Sequence, residues 1–296
     1  MKKLGLALGG GAVRGLAHIG VLKVLEKYKV PVSCIAGTSF GALAGGLFAS
    51  GVSAFDMEEK ALAMRGRAFW SFFRPSFFHS SFINSDRILD YLSQYWKDAD
   101  IGKLPIAFRA VATDLHSGAK SVMKSGDLFG AIRASSAIPV IFSPVTLADK
   151  VLVDGGFSDP VPIDEARAMG AEIILAVNVV PPPALEKNVK SGLEIGDVRN
   201  HDHAEPKNHN HGERKPGKGS RWFLPNLFDV SMQIRNLIEY NLIELDMKLE
   251  KPDFLLEPNR DLSVGWFEFS KAGVIISHGE KAMTDILPDL VKRLKD

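Results

Sequence analysis

A pattern of apolar strand, glycine turn and helix occurs twice within the first 51 residues. It constrains the fold more than any other feature. Leu4 to Leu8 is an apolar run that enters Gly9-Gly10-Gly11. Arg14 to Tyr28 then carries helical period through Leu16, Ile19, Leu22 and Leu25. Pro31 to Ala36 repeats the strand and stops at Gly37, and Ala42 to Ser50 resumes as a small-residue helix closed by Gly51. Strands that alternate with helices through short glycine turns pack as a parallel α/β sheet. Further strands are expected at Ile106 to Thr113, Val151 to Val153, Ile173 to Val179 and Asp253 to Glu257. Helices are expected at Ser85 to Tyr95, Pro162 to Met169, Asp229 to Leu249 and Ser270 to Leu294, with Pro288 dividing or kinking the last.

The chain has 296 residues, of which 46% are hydrophobic, enough to bury a sizeable core. We read residues 1–296 as a single domain. After Val180 the composition shifts to Pro, Lys, Asn, His and Gly, so 181–220 is expected to be a disordered insertion. Lys and Arg total 36 against 35 Asp and Glu, so no global field argues for a nucleic-acid partner. The single cysteine, Cys34, fits a reducing compartment. The apolar run after Met1-Lys2-Lys3 is broken by glycines, and no stretch approaches the roughly 18 apolar residues of a spanning helix. The expectation is a cytoplasmic protein, with peripheral contact at the inner membrane face left open. Oligomeric state is unreadable.

Gly37-Thr38-Ser39-Phe40-Gly41 fits G-x-S-x-G between a strand and a helix. That spacing holds a serine on a sharp turn with its hydroxyl exposed, and the glycines let neighbouring backbone pass. Gly9 to Gly15 is a second glycine turn. Its backbone N–H groups can converge on an anion, with Arg14 holding the loop or adding positive field. Against a Walker loop, Gly-Lys-Ser/Thr is missing, and against a dinucleotide loop, Arg14 stands where the third glycine belongs, which makes nucleotide binding the minor reading. A serine needs a base. Val151 to Gly156 places Asp154 at the end of an apolar strand, followed by two glycines. As a reactive group it would meet Ser39 at the carboxyl ends of the strands. As a plain turn residue it would do nothing more, and both readings stand on these residues alone.

Taken together, these segments resemble the patatin-like phospholipases. The family's oxyanion block is similar to Gly9 to Gly15, its nucleophile elbow to Gly37 to Gly41, and its Asp-Gly-Gly block to Asp154 to Gly156. An Ala-Ser-x-x-x-Pro block is similar to Ala134-Ser135-Ser136-Ala137-Ile138-Pro139, and Ala112 to Leu115 resembles a further family stretch. Order and spacing agree over roughly the first 180 residues. Within the family the chain looks most like bacterial members similar to the esterase domain of neuropathy target esterase. The resemblance implies a three-layer α/β/α fold with a mainly parallel central sheet. It also implies a catalytic dyad of Ser39 and Asp154 with no catalytic histidine, and, since no metal-ligand constellation accompanies the glycine loop or the elbow, no cofactor or metal is expected. The oxyanion would rest on Gly9, Gly10, Gly11 and Arg14, and the substrate would be a lipid or other hydrophobic ester.

Rival readings attach to other residues. His278 follows Asp154 in the order of an α/β-hydrolase triad, but it falls in mid-helix. His18 reads as structural. His201, His203, His209 and His211 lie in low-complexity sequence with no evident scaffold for a metal. Phe69 to Phe82, with Phe72 and Phe73 at its centre, is the densest aromatic segment. It reads equally as a lid touching a bilayer and as core. Phe72, Phe73 and Pro139 are the candidate substrate contacts. A non-catalytic lipid-binding or regulatory protein on the same fold is the alternative class, and the presence of both Ser39 and Asp154 argues against it.

Overall fold

The computed structural model describes residues 1–63, 99–183, 227–266 and 268–296. The expected helix at Ser85 to Tyr95, the aromatic segment Phe69 to Phe82 and most of the 181–220 insertion lie outside the described residues.

Two strand–turn–helix units open the fold as the glycine spacing dictates. Strand β1 (Leu4–Leu8) leads through the glycine loop into α1 (Leu16–Lys27), and β2 (Val32–Thr38) leads into α2 (Phe40–Ala49). Next come α3 (Ala54–Ala63), β3 (Ala107–Asp114), β4 (Lys120–Met123), α4 (Leu128–Ser135), β5 (Val145–Leu147) and β6 (Lys150–Asp154). The chain continues with α5 (Ile163–Ala168), β7 (Ile173–Val177), α6 (Leu227–Glu250), β8 (Phe254–Leu256) and α7 (Ala272–Lys295). Pro288 is accommodated inside α7 without dividing it.

The described strands form an eight-stranded sheet in the order β5-β6-β3-β2-β1-β7-β8, with β4 also paired to β3. The sheet is mixed and mostly parallel. Strands β8, β7, β1, β2 and β3 run parallel, and β4 and β6 lie antiparallel to β3.

The period-two rule sorts β1 between two cores. Leu4, Leu6 and Leu8 join the larger one, under α1, α2, α3, α4 and α7, while Ala7 faces the other side with Ala36 and Ala176. Small residues on that second face let α5 approach closely. A Cβ on Gly5 would come within 2.4 Å of the Ala171 Cβ. Helices therefore cover both sides of the sheet, as expected. On the larger face α1 and α7 touch through glycines: a Cβ on Gly20 would lie 2.0 Å from the Ile276 carbonyl oxygen, and one on Gly279 2.0 Å from that of Ala17. A third, smaller apolar cluster gathers Ile138, Ile141 and Met232 with the partly buried Phe142 and Trp266.

Candidate functional site

The turn between β2 and α2 carries Ser39 with φ 54° and ψ −119°, backbone that a non-glycine residue adopts only under constraint. The constraint comes from both neighbours in the motif. A Cβ on Gly41 would sit 2.1 Å from the Leu8 carbonyl oxygen, and one on Gly37 2.6 Å from that of Gly41. The Ser39 N–H donates to Ser135 Oγ at 2.8 Å, and that hydroxyl in turn donates to the Val111 carbonyl at 2.5 Å. Ser135 ends α4 and is fully buried. The Ala-Ser-x-x-x-Pro block thus supplies a clamp on the strained residue.

Ser39 Oγ donates to Asp154 Oδ2 at 2.6 Å. Asp154 ends β6, and the geometry differs from the sequence expectation in one respect. Asp154 does emerge at the carboxyl end of its strand, but β6 runs antiparallel to β3. The two strands meet only at Ala112–Asp114, so Asp154 stops opposite Ala112 and level with Thr38, which pairs with Val111. The Asp154 backbone is fixed on both sides: its N–H donates to the Ala137 carbonyl at 3.0 Å, and its carbonyl accepts from Thr113 Oγ1 at 2.9 Å. Its second carboxylate oxygen, Oδ1, accepts from the Gly156 N–H at 2.8 Å and from Arg235 Nη2 at 3.0 Å.

In the glycine loop, the Gly9 N–H donates to the Val177 carbonyl and the Gly10 N–H to that of Pro160, both at 3.0 Å. Arg14 is buried, holds the Gly11 carbonyl through Nε and Asn236 Oδ1 through Nη2, and lies over the Trp266 ring. His18 Nε2 pairs with the Gly9 carbonyl at 2.8 Å. Burial pushes the imidazole down to about 4, more than that hydrogen bond raises it, so the ring is neutral and donates from Nε2. His278 Nδ1 meets the Pro258 carbonyl on the side of α7. Pro139 is half-buried beside the small cluster of Ile138, Ile141 and Met232.

Arg235 and Glu239 of α6 were not singled out by the sequence. Arg235 bridges Asp154 to Glu239, its Nη1 lying 3.1 Å from Glu239 Oε2. Its guanidinium also stacks on Trp266, 4.7 Å from the ring centroid. Burial alone would lower the Arg235 pKa, but Glu239 and Asp154 hold it above its ordinary value. Glu239 Oε1 lies where side chains on Gly10 and Gly156 would project, 2.8 and 3.0 Å from those Cβ positions. Ser39 is 2% exposed and Asp154 0%.

A family model described as patatin-like phospholipase matches residues 6–167. An uncharacterized NTE family protein of Mycobacterium tuberculosis is 36% identical over 205 residues, 69% of this chain and 52% of that one. The lysophospholipase NTE1 of Debaryomyces hansenii is 26% identical over 273 residues, 91% of this chain and 17% of that one. The chain therefore spans about half the length of the mycobacterial relative and far less of the yeast one. Among solved structures, VipD from Legionella pneumophila shares the fold, with a TM-score of 0.54 at 12% identity over 98% of this chain and 67% of that one. The family match takes in the glycine loop, the strained serine turn and the Asp154 strand, and the chain belongs to the patatin-like phospholipase family.

Proposed function

We propose that this protein is a serine lipid acyl hydrolase working through a Ser39–Asp154 dyad. The observation that carries the reading is the 2.6 Å hydrogen bond from Ser39 Oγ to Asp154, made by a serine held at φ 54° at the head of a helix. Asp154 takes the hydroxyl proton as Oγ attacks the ester carbonyl. It returns that proton to the leaving alcohol and then activates water against the acyl-enzyme.

Donors for the oxyanion come from the glycine loop. Because Gly9 and Gly10 use their N–H groups on Val177 and Pro160, they frame the loop, and we assign the donation to Gly11 and the residue after it. Arg14 holds that part of the loop through the Gly11 carbonyl. The positive end of α2 reinforces the donors. Each well-placed donor is worth roughly 3 kcal/mol in the transition state.

Family membership and the lysophospholipase named among the relatives support a lipid ester as substrate. The apolar cluster of Ile138, Ile141, Met232 and Phe142 beside Pro139 offers an acyl chain a wall next to the dyad.

The test is a panel of phospholipids, lysophospholipids, acylglycerols and short esters, run on the parent and on Ser39→Ala alongside labelling with a fluorophosphonate. Serine-dependent release of fatty acid and labelling at Ser39 are expected. A folded parent that hydrolyses none of the panel and takes no label would move the reading to the non-catalytic alternative.

A further inference from the structure

Helix α6 is built inside out. A surface helix of a water-soluble domain turns aliphatic residues inward and charges outward. Here the buried side carries Arg235, Asn236 and Glu239 with Met232 and Ile243. The opposite side carries Ile234, Leu237, Ile238, Leu245 and Leu249, between 39% and 69% exposed. Their spacing of three, four and seven residues lays them along one stripe, in which exposed Asn241 and Lys248 also stand and which Glu244 borders.

The buried side is a plug. Arg235 occupies Asp154 Oδ1 and ties the proposed base to the helix. Glu239 puts a carboxylate against Gly10 and Gly156, in the space an attacked carbonyl would need. Ser39 and Asp154 are sealed, and α6 supplies the side chains that lie against the Asp154 carboxylate and the glycine loop. The plug is also imperfectly satisfied: Arg235 Nε finds no hydrogen-bond acceptor among the described residues. Buried ion pairs return little net stability over their desolvation cost, and lifting α6 would rehydrate Arg235, Glu239 and the Asp154 carboxylate together.

We infer that α6 is a gate over the dyad, and that its outward aliphatic stripe is the docking face by which a lipid surface lifts it. The inference rests on the lipid hydrolase reading. One helix separates the stripe from the reacting serine, so the body that takes up the stripe is the one that carries the substrate. Lys248 within the stripe is long enough to carry its ammonium up to the headgroups while the aliphatics enter the acyl region. A lipid surface shifts the equilibrium by the difference in its affinity for the open and closed forms, and burying half-exposed Ile and Leu side chains supplies that difference.

The experiment measures the rate at which a short, water-soluble fluorophosphonate labels Ser39, with and without vesicles of a dialkyl-ether phosphatidylcholine, which holds no carboxyl ester. The parent should label about tenfold faster or more with vesicles. In a combined Ile234→Ser, Ile238→Ser and Leu245→Ser variant the ratio of the two rates should fall close to one, at an unchanged melting temperature and monomer mass. Arg235→Gln should label faster without vesicles than the parent does. Val274→Ser, which removes an exposed aliphatic residue from α7, should keep the parental ratio.

Equal parental rates with and without vesicles would overturn the gate and leave the hydrolase reading standing. A triple variant that melts lower, or changes its oligomeric state, would show the stripe to be covered by protein and overturn the lipid assignment. Slower labelling of folded Arg235→Gln in both conditions would make Arg235 a helper of the dyad and overturn the plug. If Arg235→Gln does not fold, the triple variant decides. No labelling of Ser39 under any condition would remove the hydrolase reading, and the gate with it.

Discussion

Ser39 and Asp154 lie 115 residues apart, and the serine hydroxyl donates to the carboxylate at 2.6 Å. Under the proposed dyad, Ser39→Ala should lower turnover by about 10⁴-fold or more, and Asp154→Asn nearly as far. His278→Ala should cost little, because that ring is engaged by the Pro258 carbonyl. An inactive but folded His278→Ala would overturn the dyad and restore the Ser39–Asp154–His278 triad. Ser135 makes a finer test. Removing its hydroxyl leaves the Ser39 N–H and the Val111 carbonyl without their partner, a cost of roughly 1–3 kcal/mol. Ser135→Ala should therefore lower both the melting temperature and kcat, with KM little changed, and Ser135→Thr should recover part of each.

His18 gives a pH signature. Its folded-state pKa lies near 4, below the unfolded value of 6.5. The unfolded chain thus binds the extra proton first as pH falls, and stability that is full above 6.5 drains away toward 4. The whole step amounts to roughly 3 kcal/mol. Asp159 slopes the other way, since burial pushes its carboxyl up, more than Lys120 draws it down. The comparison must therefore be between variants. The difference in unfolding free energy between the parent and His18→Gln should shift by that amount between pH 7 and pH 4. A constant difference would mean that the ring is not neutral and buried.

At the scale of elements, the apolar runs were legible. Strands β1, β2, β3 and β7 and helices α1, α2, α5, α6 and α7 fall close to where period and glycine turns put them. Strands β4 and β5, of four and three residues, were not, because so few positions carry no period and their pairing with β3 and β6 is set at a distance. Helix α4 was seen only as a motif, Ala134 to Pro139, and its clamp on Ser39 is a tertiary fact. Helix α6 was legible as a helix, but its orientation was not. The stripe of Ile234, Leu237, Ile238 and Leu245 is what an inward face looks like in sequence, and nothing in spacing links Arg235 to an aspartate 81 residues earlier. The α1–α7 contact offers a test in which two effects oppose each other. Alanine for glycine inside a helix gains up to about 1 kcal/mol from propensity. At Gly279 the added methyl would meet the Ala17 carbonyl at 2.0 Å, and overpacking typically costs roughly 1–3 kcal/mol. Gly279→Ala should melt lower than the parent, and a raised melting temperature would mean that the helices are not held so close.

For the whole molecule, the glycine turns and the family blocks made the sheet readable and picked out Ser39 and Asp154 as candidates, because each short motif fixes local backbone that the fold then brings together. Which strands run antiparallel was not readable, since Asp154 reaches Ser39 equally well in sequence terms from either direction. Among the described residues no group of three or more His, Cys, Asp or Glu is arranged to hold a metal ion. A serine nucleophile paired with a carboxylate asks for no metal-bound water. Hydrolysis should accordingly survive exhaustive chelation, and loss of activity with EDTA that zinc or calcium restores would contradict the dyad chemistry.

The strand order also bears on how the chain is made. β1 is made before the other described strands, yet it sits between β2 and β7, and β7 is synthesised more than 160 residues later. Throughout that interval Leu4 to Leu8 offers an apolar strand with one open edge, the kind of surface that recruits other chains. A nascent chain arrested before Ile173 should bind holdase chaperones through Leu4–Leu8 and be released once Ile173–Val177 has emerged and closed the edge.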